Sequence, residues 1–219
     1  MKEKQENTGR EVRSMPVREL RADDESRTIT GYAAVFNSDA DLGFFTERIN
    51  PGAFKRAINE DQDVRALWNH DPNFILGRTK SGTLRLSEDK KGLRIEIDPP
   101  DTQVGRDMVE SIRRGDVDQM SFAFQAVKES WTERKGDLPL RELDDVDLYD
   151  VSPVTYPAYE ATSVGLRSAE DIYNEHIQST DAQECAGDDD DVDTDAQVRD
   201  RDRHRLSVFK LNLKGDDHE

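Results

Sequence analysis

Short apolar runs separated by turn-forming residues make up most of the chain between residues 28 and 167. Runs of roughly 4–8 residues that are bounded by Gly, Pro, Asn or Asp are typical of β-strands. They occur at residues 30–36, 64–68, 83–86, 93–97, 120–127 and 146–155. The runs 83–86 and 93–97 alternate in polarity on either side of a turn, which predicts a hairpin. This pattern indicates a mainly β domain.

Two segments have helical patterns instead. Pro51, a residue that is tolerated in the first turn of a helix, precedes the stretch 52–58. A second helix is expected to be capped by Asp101 or Thr102, to carry apolar residues at every fourth position, and to end near Gly115. Several strands with two or three helices favour a mainly antiparallel barrel or sandwich, mainly β or α+β in class.

Acidic residues are concentrated at the end of the chain. The chain carries 31 basic and 48 acidic side chains, a formal net charge of −17, and residues 168–219 hold 16 of the acidic and 6 of the basic ones. Segments with such an excess of one charge repel themselves and remain hydrated. We therefore predict a disordered acidic tail at residues 168–219, a folded domain at residues 28–167, and a charged arm at residues 1–27 that can add a first strand.

Several partners are excluded by what the sequence lacks. No segment approaches the roughly 20 consecutive apolar residues of a membrane span, and residues 1–13 lack the apolar stretch of a signal peptide. We therefore expect a chain that stays in the cytosol and does not contact membranes. The acidic excess argues against nucleic acid as a partner, because binding to phosphates depends on Lys and Arg.

No cofactor or metal is expected either. Cys185 is the only cysteine, so no cluster of cysteines is available to bind zinc. The alternating aspartates from Asp191 resemble the start of an EF-hand loop, but Ala196 and Asp202 stand where that loop needs Gly and Glu. The phosphate-loop, zinc-protease, dinucleotide and hydrolase-elbow motifs are all absent.

His70 is the only histidine between residues 28 and 167. It follows the strand-like stretch 64–68 and precedes Asp71 and Pro72, so we expect it where a strand ends in a turn. Such positions, on a rigid element but open to substrate, often carry catalytic groups. If this domain uses a histidine as a general base, that histidine is His70.

A serine nucleophile needs such a neighbour, because its hydroxyl is weak unless an imidazole takes its proton. Ser121 stands near the start of the apolar run 120–127, directly after a polar turn. Its hydroxyl is therefore expected to project from a strand. A serine that only fills a strand face has the same pattern, so these residues alone leave the role of Ser121 open.

Six segments are similar, in order and at about the spacing, to those of tailed-phage prohead maturation proteases. They are GYAAVFN (31–37), ERINPGAF (47–54), ALWNHDP (66–72), ILGRT (75–79), DQMSFAF (118–124) and DVSPVTYPAY (150–159). The resemblance covers residues 28–167, and the family in turn resembles the herpesvirus assemblins. It implies a serine endopeptidase on a closed, mostly antiparallel β-barrel that is flanked by a few helices.

The resemblance also implies roles for three residues. The family's N-H-D histidine falls on His70 as general base, and its M-S-F serine falls on Ser121 as nucleophile. Asp150 takes the place of an acid, often glutamate, that orients the histidine. Four other acidic residues shortly before Asp150 in the sequence keep this third assignment open: Glu142, Asp144, Asp145 and Asp147. The oxyanion hole is implied to use backbone N–H groups and the help of an arginine, with Arg78, Arg113 and Arg114 as equal candidates.

By the same resemblance, the enzyme acts inside the immature procapsid, in the cytoplasm of the bacterial host. Its implied substrates are the scaffold protein or the scaffolding segment of the major capsid protein, and then the protease itself, with the charged ends as accessible sites. The related assemblins suggest a homodimer. The alternative is a non-enzymatic capsid assembly or scaffolding factor built on the same domain. A scaffold typically shows long coiled-coil patterns, which this sequence lacks.

Overall fold

The structure, a computed structural model, describes residues 9–15, 19–156 and 167–184. The chain divides into two units, residues 1–175 and 176–219. The second unit is described only over residues 176–184, which are helical.

Strands dominate the described residues. The strands are β1 (Glu11–Met15), β2 (Arg21–Ala22), β3 (Ile29–Val35), β4 (Ala40–Asp41), β5 (Thr46–Ile49), β6 (Arg65–Trp68), β7 (Asp71–Arg78), β8 (Leu84–Glu88), β9 (Gly92–Ile97), β10 (Gln119–Thr132) and β11 (Leu140–Val154). The α-helices are α1 (Lys55–Asn59), α2 (Gln103–Arg114) and α3 (Ala169–Glu184). The prediction of a mainly β protein with a few helices is confirmed.

The larger sheet is built around β11. It has seven strands in the order β1-β10-β11-β5-β4, and β6 pairs with both β11 and β7. β10 runs antiparallel along the whole of one edge of β11. The other edge is shared by two parallel strands, with β5 beside residues 140–143 and β6 beside residues 150–151. The second half of β11 is therefore held between β10 and β6.

The smaller sheet has the order β2-β3-β9-β8. It contains the predicted hairpin, as the antiparallel pair β8 and β9. Neither sheet closes on itself within the described residues, so the predicted closed barrel is not what the structure shows. The reason lies in β11, because two different strands, β5 and β6, pair with different parts of the same edge of it. The larger sheet therefore branches at β11 and does not continue around as a single row of strands. Short apolar runs predict strands but not whether the sheet they form will close.

One buried core joins both sheets. Met120, Phe122 and Phe124 project from one face of β10 into this core, together with apolar side chains of β3 and β9. Phe122 stacks on Phe124 with ring centroids 5.1 Å apart and meets the ring of Phe54 edge-on at 5.7 Å. The alternate residues of β10 point to the other face, because side chains alternate along a strand.

Both predicted helices are present. The first starts later than predicted, and of the two residues proposed to cap the second, Thr102 is the cap. α1 begins at Lys55, after turns that occupy the residues following Pro51. α2 is capped by Thr102, whose hydroxyl accepts a hydrogen bond from the Gly105 N–H at 3.2 Å. It ends where Gly115 adopts a left-handed φ of 78°, which glycine tolerates without steric cost.

The prediction of disorder from residue 168 onward is wrong for its first part, because α3 is a helix. Ser168 and Asp171 cap its start reciprocally: the Ser168 hydroxyl accepts from the Asp171 N–H at 3.1 Å, and the Asp171 carboxylate accepts from the Ser168 hydroxyl at 2.9 Å. Ala169 and Ile172 are buried against Phe45. The aspartate run of the predicted tail lies outside the described residues.

The charged arm expected at residues 1–27 contributes β1, and part of it is buried. We call Glu11, Arg13, Glu47 and Arg141 the buried ion cluster, since these side chains are 0%, 8%, 3% and 0% exposed. Arg141 donates to Glu11 at 2.6 Å and to Glu47 at 2.8 Å, and Arg13 donates to Glu47 at 2.7 Å. Burial raises the pKa of Glu11, but the hydrogen bond from Arg141 and the charges of the nearby arginines outweigh it and lower the pKa. The cluster joins β1, β5 and β11 through two cations and two anions.

Replacing Arg141 by Met leaves Glu11 and Glu47 buried, with Arg13 between them and Arg167 3.5 Å from Glu11. Breaking a buried network from one side leaves an uncompensated charge, so we expect the free energy of unfolding to fall by about 3–5 kcal/mol. Urea denaturation of the full chain measures the loss. The control is Arg48→Met, which removes a partly exposed pair with Asp39 and should cost at most about 1 kcal/mol. Equal losses in the two variants would contradict the role of the cluster.

Candidate active site

Ser121 and Asp150 lie on neighbouring strands and on the same face of the sheet. Ser121 pairs with Ser152 across the β10–β11 ladder, and Asp150 precedes Ser152 by two residues. Met120 and Phe122 point into the core, so Ser121, between them, points to the opposite face. The strand pairing alone therefore brings the predicted nucleophile close to the predicted acid.

His70 reaches the same face from the turn that follows β6. Asn69 and His70 form the two-residue connection between Trp68 and Asp71, with φ angles of 54° and 59°. Two-residue hairpins in which both residues have positive φ are type I′ turns, and Asn-Gly is the favoured sequence there. A histidine in the second position adopts a backbone conformation that costs an L-residue about 1–2 kcal/mol. Strain of this kind is concentrated at functional sites.

Asn69 fastens this turn to the end of β11. Its N–H donates to the carbonyl of Pro153 at 3.1 Å, and its side-chain oxygen accepts from the Thr155 N–H at 2.9 Å. Both partners follow closely after Asp150 in the chain. The contacts therefore fix the His70 backbone relative to the strand that carries the acid.

The structure brings His70, Ser121 and Asp150 into one hydrogen-bonded chain. His70 Nε2 lies 2.7 Å from Ser121 Oγ, and His70 Nδ1 lies 2.5 Å from Asp150 Oδ1. A carboxylate only accepts, so Nδ1 carries the proton toward Asp150 and leaves the Nε2 lone pair facing the hydroxyl. The arrangement can take a proton from Ser121 and stabilise the resulting imidazolium.

The other acids that the sequence left open have different partners. Asp145 and Asp147 both pair with Arg56, and Asp144 accepts from the Asn50 side chain at 2.9 Å. Glu142 lies 3.8 Å from Arg48. Of the five acids, the structure places only Asp150 against the imidazole, which it reaches although it is one methylene shorter than a glutamate.

Asp150 is 1% exposed, and both of its oxygens have partners. Ser152 donates to Oδ1 at 2.8 Å, beside His70, and Arg10 pairs with Oδ2. Burial raises the pKa of this carboxyl, but the hydrogen bond from His70, the charge that the imidazole carries in acid, the Ser152 hydroxyl and the Arg10 guanidinium outweigh it and lower the pKa below its usual value. The side chain is therefore ionised at neutral pH.

The Ser121 hydroxyl has a second acceptor within reach. Its Oγ lies 2.9 Å from the carbonyl oxygen of Arg13, because β1 pairs with β10 and places Ser14 opposite Ser121. Ser121 is 0% exposed in this arrangement. The hydroxyl has one proton, so an attack assisted by His70 requires that proton to point to Nε2 and not to Arg13. The contact between Ser121 and the Arg13 carbonyl therefore has to break before a substrate peptide bond can reach Oγ.

The three arginines considered for the oxyanion hole are engaged elsewhere. Each is paired with an aspartate, in the pairs Arg78–Asp63, Arg113–Asp24 and Arg114–Asp116. Within the described ranges, none of the three has a hydrogen bond or ion pair with the residues of the Ser121 site.

The described residues contain no metal centre: no three His, Cys, Asp or Glu side chains among them are grouped closely enough to hold an ion. In the same part of the chain, no helix combines the length and apolar character needed to cross a bilayer. Cys185 and the aspartate run from Asp191 lie outside these ranges.

Three residues of the site were not predicted. Ser152 carried a signal, since it lies two positions from Asp150 and so shares its face of the strand. Asn69 carried a weaker one, as an asparagine just before the candidate histidine at an expected turn. Arg10 carried none, because it is 140 positions away from Asp150 in the chain.

Two substitutions of Asn69 separate its backbone role from its side-chain role. Both Asn69→Gly and Asn69→Ala lose the hydrogen bond from Thr155, but only Gly adopts the positive φ without steric cost. We expect the Ala variant to be less stable than the Gly variant by about 1 kcal/mol. Thermal or urea denaturation measures the difference, and an Ala variant as stable as the Gly variant would show that this turn is not left-handed.

We compared the chain with protein families, solved structures and curated proteins. The family model described as caudovirus prohead serine protease matches residues 13–176. Among solved structures, the bacteriophage T4 capsid assembly protease, gp21, is similar at 12% sequence identity and a TM-score of 0.43, with 66% of this chain and 95% of that chain covered. A likeness this distant carries no argument about the chemistry. A search among curated proteins returned no match.

Proposed function

The chain belongs to the caudovirus prohead serine proteases, with a family match over residues 13–176, and on this premise we propose that Ser121, His70 and Asp150 are its catalytic triad. The observation that carries the proposal is the unbroken chain of hydrogen bonds from the Ser121 hydroxyl through the imidazole to a buried carboxylate. The proposed reaction is hydrolysis of peptide bonds during maturation of the phage capsid.

In this proposal Ser121 Oγ attacks the scissile carbonyl carbon while its proton passes to His70 Nε2. The imidazolium then returns that proton to the leaving amine, and an acyl-enzyme remains on Ser121. A water molecule, deprotonated by the same nitrogen, releases the acid product. General-base assistance of this type contributes about 10²- to 10⁴-fold to the rate.

Asp150 remains ionised throughout. Its bond to Nδ1 fixes the tautomer that leaves Nε2 free, and its charge stabilises the imidazolium. The ladder between β10 and β11 and the tethered turn at Asn69 fix the three groups relative to one another before substrate arrives. The contact between the Ser121 hydroxyl and the Arg13 carbonyl still has to open to admit the substrate.

The proposed substrates are the scaffold protein, or the scaffolding segment of the major capsid protein, and the protease itself. Family membership supports them, since a prohead protease works on the particle in which it is enclosed. We propose that this chain acts inside the immature procapsid in the host cytoplasm. The homodimer suggested by the resemblance to assemblins stays a prediction.

Co-expression with the capsid protein of the same phage tests the triad. Ser121→Ala and His70→Ala should each abolish truncation of the capsid protein, because removing a triad member costs about 10⁴-fold or more in rate. The matched control is Ser130→Ala, an exposed serine on the same strand, which should cleave as the wild type does. Unchanged processing by both triad variants would refute the assignment and favour the non-enzymatic assembly factor.

Self-cleavage is tested by intact mass. We expect the wild type to lose terminal segments during incubation and Ser121→Ala to keep its full mass. Mixing tagged Ser121→Ala with a small amount of wild type then shows whether one copy cleaves another. Identical masses for wild type and Ser121→Ala after long incubation would exclude autoprocessing.

A further inference from the structure

The guanidinium of Arg10 reaches the triad acid from the far end of the chain. Arg10 directly precedes β1, and its Nη2 pairs with Oδ2 of Asp150, the oxygen that His70 does not contact. Its backbone carbonyl accepts from the Arg167 N–H at 2.9 Å. The guanidinium carbon lies 5.0 Å from the centre of the Tyr149 ring, a distance typical of cation–π packing. Arg10 is thus held at the site from three sides.

A carboxylate as deeply buried as Asp150 needs a cation close to it. If His70 had to supply that charge, its imidazole would be protonated at rest and could not accept a proton from Ser121. An arginine stays charged at every pH at which a protease works. Arg10 can therefore balance Asp150 at all times, and the imidazole is left free for proton transfer.

We propose that Arg10 is a positioning residue for the reaction: it balances the buried Asp150 carboxylate, holds its second oxygen, and leaves His70 neutral to receive the Ser121 proton. This inference rests on the proposed triad. Arg10 acts through Asp150 and has no contact with the reacting atoms.

Other charges near the site have partners of their own. Arg65 on β6 lies beside Asp150 in the sheet, but its guanidinium donates to Asp63. Asp71, next to His70, accepts from the Asn73 N–H at 2.8 Å. The remaining charged residues of β1 belong to the buried ion cluster. Within the described residues, Asp150 has two basic partners: His70, which is neutral at rest in this proposal, and Arg10, which is always charged.

The pH dependence of kcat/KM tests the inference. Loss of a positive charge near the His70–Asp150 pair favours the protonated imidazole, so Arg10→Gln should move the acidic limb of the profile to higher pH by about one unit. Activity at pH 7 should fall severalfold and recover toward the wild-type value as the pH rises. Arg10→Lys keeps the charge and should keep the limb close to its wild-type position.

The matched control is Arg85→Gln, which removes a paired arginine from the smaller sheet and should leave the profile unchanged. If Arg10→Gln loses activity by the same factor at every pH, or if Arg10→Lys behaves as Arg10→Gln does, Arg10 has only a structural role and the inference is overturned.

A second readout needs no protease activity. In the full chain with Ser121→Ala, NMR follows the titration of the His70 imidazole with and without Arg10→Gln. We expect the midpoint of that titration to rise by about one pH unit when Arg10 is replaced. An unchanged midpoint overturns the inference even if the triad is correct, whereas a shifted midpoint supports it even if the proposed protease activity is not found.

Discussion

The antiparallel pairing of β10 with β11 is the contact on which the rest of the structure depends. It extends from the pair Gln119 and Val154 to the pair Thr132 and Leu140. One face of this ribbon supplies the core, and the other carries Ser121 and Asp150. A slip of one residue in β10 would exchange its two faces and point Ser121 into the core, and a slip in β11 would do the same to Asp150. The burial of apolar side chains therefore also fixes the register that the site needs.

The second constraint is that buried charges need partners of opposite sign. Residues 9–15 supply such partners at two places. β1 brings Glu11 and Arg13 to the buried ion cluster, and the residue before it brings Arg10 to Asp150. Residues 9–15 are thus an integral part of the domain and of the site. The charged arm was expected to be an accessible substrate for cleavage, but cutting after Met15 would remove an edge strand and three paired charges. Any self-cleavage of the N-terminal arm that preserves activity therefore has to fall before this segment.

The sequence could predict what depends on local pattern. The strand runs, the β8–β9 hairpin and the capped helix α2 follow from spacing, turn residues and a cap, and the family motifs pointed to His70, Ser121 and Asp150. The rest depends on contacts between distant segments. The branching at β11, the Arg13 carbonyl near Ser121 and the Arg10 pair leave no periodic trace in the sequence. α3 is different, because its Ser168–Asp171 capping pattern was present but was outweighed by the acidic composition of the segment that contains it.

In the proposed triad, His70 activates Ser121 as a nucleophile. A fluorophosphonate reacts with activated serines, so treating the full chain with such a probe and mapping the adduct by peptide mass spectrometry tests the claim directly. If His70 activates Ser121, the adduct forms on Ser121, is lost in His70→Ala and is retained in Ser130→Ala. An adduct on another serine, or labelling of Ser121 that proceeds equally well without His70, would contradict it.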